Sequence, residues 1–548
     1  MRTDLEFATI RRLSVQDFRR EFLKMAGLGV AGSATVLLTS PAARAQAGGS
    51  QGERPVYFDV RRFGAKGDGT SIDGGAINAA IDAAANVGGG TVVFPAGVYA
   101  SYSIHLKSNV ALYLQQGATI LAASTPYDGT AKGYDNAEPQ GAWEPYQDYG
   151  HNHWHNSLIW GEDIHDFGIF GPGLIYGKGL SRGWDREKAL PDSNAKGVGN
   201  KGIALKNCRN VILSDFSILQ GGWFGVLATG VDNMTIDNLK IDTNRDGIDI
   251  DCCRNVRVSN CTVNSPWDDG ICPKSSYALG HARPTENVTI ANCYVTGAYE
   301  LGSVLDGTWK LRDVKDGQWG TGRIKCGTES NGGFKNIAIS NCVFEKCHGV
   351  AIESEDGAIV EDITITGVTM RDVVAPFFLR LGARLRGPKP ETVVGRMKRI
   401  LISNVTSSNA ALLPSIIAGV AGHPVEDVKV SDVYLEHVGG GGLDLAGIQP
   451  PEKAEAYPDP AMFGQLPASG WFARHAKNLE MTNVEIAVQR TDARPAFHLE
   501  DVQGADFFRM KAPGTKEQFR LKGVSDFRVF GCRHYADKTV DGPSEMTV

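Results

Sequence analysis

Short strands of alternating apolar and polar residues recur along this chain in one fixed setting. Arg209-Asn210-Val211-Ile212-Leu213, Asp232-Asn233-Met234-Thr235-Ile236, Arg254-Asn255-Val256-Arg257-Val258, Glu286-Asn287-Val288-Thr289-Ile290 and Lys335-Asn336-Ile337-Ala338-Ile339 each place a polar pair before a period-two strand. Weaker copies begin at Asp362, Arg399, Asp427 and Asn478. The asparagine advances by 23 and 22 residues, then by 32 and 49 where insertions enter. A period near 22 made of β-branched strands predicts an all-β fold, a right-handed parallel β-helix in which each repeat is one coil. A β-sandwich would not hold its strands in a fixed phase, and the leucine scaffold of a leucine-rich repeat is missing.

Three stretches depart from the repeat. Asp73 to Val87 has helical spacing of its apolar residues and predicts a short N-terminal capping helix over the open end of the solenoid. Residues 439–475, rich in Gly and Pro, read as a loop excursion from the coil stack. Residues 1–47 read as an export leader: Phe18-Arg19-Arg20-Glu21-Phe22-Leu23-Lys24 precedes a mild apolar run and then Ala43-Arg44-Ala45, a pattern similar to a twin-arginine signal. The expected organisation is thus a leader over 1–47 and a single β-helix domain over 48–548, exported to a bacterial periplasm or beyond, monomeric and without a membrane span after cleavage.

Composition sharpens this picture at two points. Glycine accounts for 66 of 548 residues, well above the usual share of about 7%, as expected of a chain that turns several times per coil. The net charge of −6 argues against a nucleic-acid partner, which selects a basic excess. Ten cysteines are present, and Cys261, Cys293 and Cys342 follow an asparagine at equivalent coil positions, predicting a stack of buried thiols. No spacing matches a zinc site, so neither a metal nor a cofactor is expected. The Asn-x-Thr triplets at 233, 287 and 404 belong to the coil signature and are not read as glycosylation sites.

Carboxylates fall in one phase of the repeat. Thirteen residues after Asn233 is Asp246; thirteen after Asn255 is Asp268, followed by Asp269. Equal phase on a solenoid means vertical neighbours roughly 5 Å apart, and acids that close split their pKa values, as acid–base chemistry requires. The same count selects Trp223 and Glu300, with Tyr299 one residue before it; an aromatic beside acids is the chemistry of a sugar-binding groove. Asp249 and Asp251 are read as turn caps.

Asn244-Arg245-Asp246-Gly247-Ile248-Asp249 and, one coil on, Trp267-Asp268-Asp269-Gly270-Ile271 resemble the Asn-x-Asp and Asp-Asp motifs of glycoside hydrolase family 28, the polygalacturonases and rhamnogalacturonan hydrolases. The opening Phe58-Asp59-Val60-Arg61-Arg62-Phe63-Gly64-Ala65-Lys66-Gly67-Asp68 and the segment Ile169-Phe170-Gly171-Pro172-Gly173 extend the likeness over most of the chain. The resemblance implies an inverting glycosidase acting on a pectic polysaccharide or oligosaccharide. Asp268 would be the general acid, with Asp246 and Asp269 holding the attacking water and the acid and base roughly 6.5–9.5 Å apart. Asn244, Trp223, Lys274, Tyr299, Glu300, Arg323, Lys325 and Glu353 would contact substrate.

Two family motifs are altered. In place of Gly-His-Gly stands Gly297-Ala298-Tyr299-Glu300 before an insertion, or else Gly322-Arg323-Ile324 if the insertion shifts the alignment. The family's Arg-Ile-Lys exists literally as Arg323-Ile324-Lys325, but one coil early; the matching coil reads Val350-Ala351-Ile352-Glu353, whose glutamate would repel a galacturonate. A neutral sugar such as rhamnose on one side of the cleaved bond is therefore expected, with Arg380, Arg384 and Arg386 as a displaced carboxylate site. The insertion and the 439–475 excursion would close one groove end and favour exo cleavage. The rivals are a pectate-lyase-like enzyme and a non-catalytic polysaccharide-binding β-helix.

Overall fold

The computed structural model describes residues 57–125, 132–181, 195–315 and 319–548, all within one compact unit, Pro55–Val548. The leader expected over 1–47 lies outside the described residues.

The repeats wind into a right-handed parallel β-helix with three strands per coil. One coil runs Phe224–Thr229, Asp232–Asp237 and Lys240–Asp242; the next runs Asp246–Asp251, Arg254–Ser259 and Thr262–Asn264. Each strand pairs in parallel with its counterpart a coil away: Val226 with Ile248, Met234 with Val256, Ile241 with Val263. Alternation then turns every second side chain inward, and the inward Val, Ile, Leu and Phe residues merge into a single continuous core.

The signature asparagines explain why the pattern repeats. Asn210, Asn233, Asn255, Asn287 and Asn336 all sit at φ between 54 and 58°, the left-handed conformation that asparagine tolerates better than most residues. From Asn233 on, each side-chain amide donates to the side-chain carbonyl oxygen of the asparagine below it, Asn233 to Asn210 at 3.1 Å, Asn255 to Asn233 at 3.1 Å, Asn287 to Asn255 at 3.0 Å and Asn336 to Asn287 at 2.8 Å. A corner and a ladder are thus made by one residue type. Cys261, Cys293 and Cys342 are buried on successive coils, and all ten cysteines are free thiols.

Both ends of the stack are covered. The helix Gly74–Asn86 buries Ile77, Ala80, Ile81 and Ala84 along one face, one residue short at each end of the expected span. At the other end Lys538–Val540 and Ser544–Thr547 pair antiparallel with Phe519–Phe530, which closes an edge otherwise open to further strand addition. Between Val425–Gly439 and Trp471–Arg490 the chain leaves the stack, and Phe463, Leu466 and Ala468 fold back onto Ala351, Phe378, Ile416 and Phe472.

Candidate active site

Four stacked strands form one face of the solenoid: Phe224–Thr229, Asp246–Asp251, Ile271–Lys274 and Ile324–Cys326. Asp246 opens the second strand, and Asp268 and Asp269 lie on the turn that enters the third. The register brings one carboxylate oxygen from each of Asp246, Asp268 and Asp269 within 4.8 Å of one another. The backbone N–H of Asp269 donates to Asp246 Oδ1 at 3.0 Å and to Asp268 Oδ1 at 3.2 Å. The nearest oxygens are therefore closer than the wide acid–base gap expected, because the turn between Asp268 and Asp269 folds tightly onto the coil below.

Each acid has its own electrostatic surroundings. Asp269 is buried, which disfavours its charge, but Lys325, Arg323 and Lys274 outweigh burial and hold its carboxyl well below the usual carboxylate range. Arg323 Nε donates to its Oδ1 at 2.8 Å, and Lys325 pairs with its Oδ2. Asp246 goes the other way. Burial and the neighbouring charges of Asp249 and Asp268 raise it well above the usual range, against the pull of Lys274. Asp268 is the most exposed of the three, with 24% of its side chain accessible, and Arg245 donates to its Oδ2 through Nε and Nη2 at 3.1 and 2.8 Å. The two buried carboxyls are thus pushed in opposite directions, Asp246 toward its protonated form and Asp269 toward its ionised form, and such a split is what acid–base chemistry at neutral pH requires.

Of the other residues picked from the sequence, Trp223 borders the groove, with the Arg245 guanidinium 5.1 Å above its ring, and Asn244 is buried beside Asp246. Lys274 is buried among Glu329, Asp249 and Asp246, at 3.3, 3.8 and 3.9 Å. Glu353 is fully buried, 3.7 Å from Arg323. Tyr299 and Glu300 are not part of the cluster. The strand Tyr294–Thr296 ends before them and the chain enters the insertion, so equal residue count no longer means equal phase. The Tyr299 hydroxyl donates to Glu345 at 3.1 Å and Glu300 pairs with Lys310. Ile324 is what stacks on Ile271, so Gly322-Arg323-Ile324 takes the place above the Asp268–Asp269 turn. Arg380, Arg384 and Arg386 do not form a spare carboxylate site, since Glu355, Asp356 and Asp148 already occupy them.

Several neighbours escaped the sequence reading. Asp249 is not a turn cap: it lies mid-strand, fully buried, with Lys274 as its near cation. His151 approaches Glu329 at 3.7 Å, and from the excursion Tyr457 accepts a hydrogen bond from Thr328 at 3.2 Å while Asp459 lies 3.6 Å from His348. Only Asp249 and Arg245 carried a signal, since both stand inside the first motif.

Fold and site define the class: a right-handed parallel β-helix with clustered acids on one strand face. Within that class the chain is similar in sequence to proteins named as polygalacturonases. Residues 57–154 match the model described as "Rhamnogalacturonase A/epimerase, pectate lyase-like", and 185–312 match "Right handed beta helix region". A probable polygalacturonase of Vitis vinifera is 24% identical over 340 residues, covering 58% of this chain and 61% of the relative. An exo-poly-α-D-galacturonosidase of Dickeya chrysanthemi is 26% identical over 40% of this chain and 34% of its own length, so the chain spans at most about three fifths of these relatives. In fold it is similar to the Thermotoga maritima exopolygalacturonase, with a TM-score of 0.56 at 15% identity over 89% of this chain and 95% of the other. No described helix is long and apolar enough to cross a membrane.

Proposed function

We propose that this chain is an exported glycoside hydrolase that cleaves pectic chains by a single inverting displacement. The observation that carries the reading is the Asp246, Asp268 and Asp269 cluster with its opposed charge states. Water, held by Asp269 and Asp246, adds its oxygen to the anomeric carbon and gives up its proton to Asp269, the carboxylate held ionised. Asp268 delivers a proton to the departing glycosidic oxygen, and the bond from that oxygen to the anomeric carbon breaks. Both oxygens of Asp269 are engaged by Arg323 and Lys325, which favours holding water over direct attack on carbon and so supports inversion despite the close spacing.

Arg323 and Lys325 serve Asp269, and Glu353 adds an acid to the next coil. The subsite over these coils therefore suits a neutral sugar such as rhamnose, as in rhamnogalacturonan. Tyr457 and Asp459 bring the excursion over that end of the groove, which supports exo cleavage. Incubating the purified protein with defined pectic oligosaccharides and reading the first-formed anomer by NMR tests the proposal. A retained anomer overturns inversion, an unsaturated ultraviolet-absorbing product overturns hydrolysis in favour of a lyase, and viscosity loss running ahead of reducing-end release overturns exo action.

A further inference from the structure

Four basic side chains lie within reach of the carboxylates, and three are committed to the protein itself. Lys274, with 5% of its side chain exposed, is shared among Asp246, Asp249 and Glu329, and Arg323 and Lys325, at 2% each, clamp Asp269. Arg245 differs. Its side chain is 27% exposed and its guanidinium lies over Trp223, with Asp268, Asp246 and Asp148 as the charged groups around it. A guanidinium resting on an indole face keeps its N–H edge for a planar acceptor, and a carboxylate fits that edge. In this structure the acceptor is Oδ2 of Asp268, the group assigned to proton delivery.

We propose that Arg245 reads the charge of the substrate: a uronate carboxylate seated against Trp223 takes the guanidinium from Asp268, and Asp268, so released, takes up a proton from solvent and delivers it to the glycosidic oxygen. The inference rests on the hydrolase reading and adds to it that the sugar on the Trp223 side of the site is acidic. An uncharged sugar there leaves Arg245 on Asp268 and is processed poorly.

The test compares a rhamnogalacturonan oligosaccharide whose galacturonates are free acids with its fully methyl-esterified form, using wild type, Arg245→Gln and Arg245→Lys. Wild type favours the acid, and Arg245→Gln lowers the acid-to-ester ratio of kcat/KM by about 10- to 100-fold, the scale of a charge-assisted hydrogen-bonded pair. The loss falls mainly in KM for the acid, and Arg245→Lys retains part of the preference. Each ratio is taken within one preparation, so a partly folded fraction cancels, and the ratio of dissociation constants by calorimetry gives the same readout if turnover is lost. An unchanged ratio in Arg245→Gln overturns the inference while leaving the hydrolase reading intact. Failure of wild type to cleave either compound overturns both.

Discussion

The asparagine ladder and the carboxylate face are built on the same backbone with the same coil spacing, yet they behave oppositely. Along the ladder each amide both donates and accepts, so stacking identical residues satisfies all of them at once. Carboxylates can only accept, and stacking them requires buried cations or retained protons. Here the chain uses both, with Arg323 and Lys325 on Asp269 and a raised pKa at Asp246. Repetition is self-consistent for a neutral polar group and frustrated for a charged one. The frustrated face is where chemistry is expected.

The largest effect expected is on rate. Asp268→Asn removes the proton donor while keeping its shape, and hydrolysis of a pectic oligosaccharide should fall by about 10²- to 10⁴-fold, with unchanged far-ultraviolet circular dichroism. Retained turnover would break the contrast, because the acid face would then be no more functional than the ladder. Next comes Lys325→Met, which strips one cation from a fully buried acid. Removing one partner of a buried pair costs about 3–5 kcal/mol, read as a lowered denaturation midpoint.

The contrast between the two faces also explains what could be read from the chain. Coil-to-coil contacts inherit the period, so the strands, the asparagine corners and the meeting of Asp246 with Asp268 and Asp269 were all legible by counting. Counting failed at Tyr299 and Glu300, where the insertion begins and the count continues without the coil. Asp249 was misread because an aspartate at a corner and one inside a charged strand look alike in sequence. Tyr457 and Asp459 return to Thr328 and His348 from far along the chain, and a loop's return contacts carry no periodic mark.

Asp246→Asn sharpens the electrostatic half of the comparison. The folded pKa of Asp246 is raised above its unfolded value, so its contribution is fully present below pH about 3.9 and is lost as pH rises toward the folded pKa. Asparagine has no proton to lose and still accepts from the Asp269 N–H. The variant should therefore gain melting temperature relative to wild type on going from pH 4 to pH 7.5, while losing activity. Asp269 has the opposite sign: its lowered pKa contributes stability above the unfolded value that is lost as pH falls. A relative gain for Asp246→Asn at acid pH instead would show that the cations, not a retained proton, neutralise Asp246.

The smallest effects belong to the ladder, and they separate its two ingredients. Asn255 sits at φ 58° and makes one amide bond down to Asn233 and accepts one from Asn287. Asn255→Ala loses both bonds and places a side chain without local compensation in the left-handed region, where an L-residue costs roughly 1–2 kcal/mol. Asn255→Gly loses the same bonds but adopts that φ freely. The ladder bonds are solvent-exposed, so each contributes at the low end of about 0.5–1.5 kcal/mol. Alanine should therefore destabilise more than glycine, by about 1 kcal/mol in urea denaturation, on the strength of the corner alone. Equal losses would mean that the amide ladder, rather than the backbone turn, is what selects asparagine coil after coil.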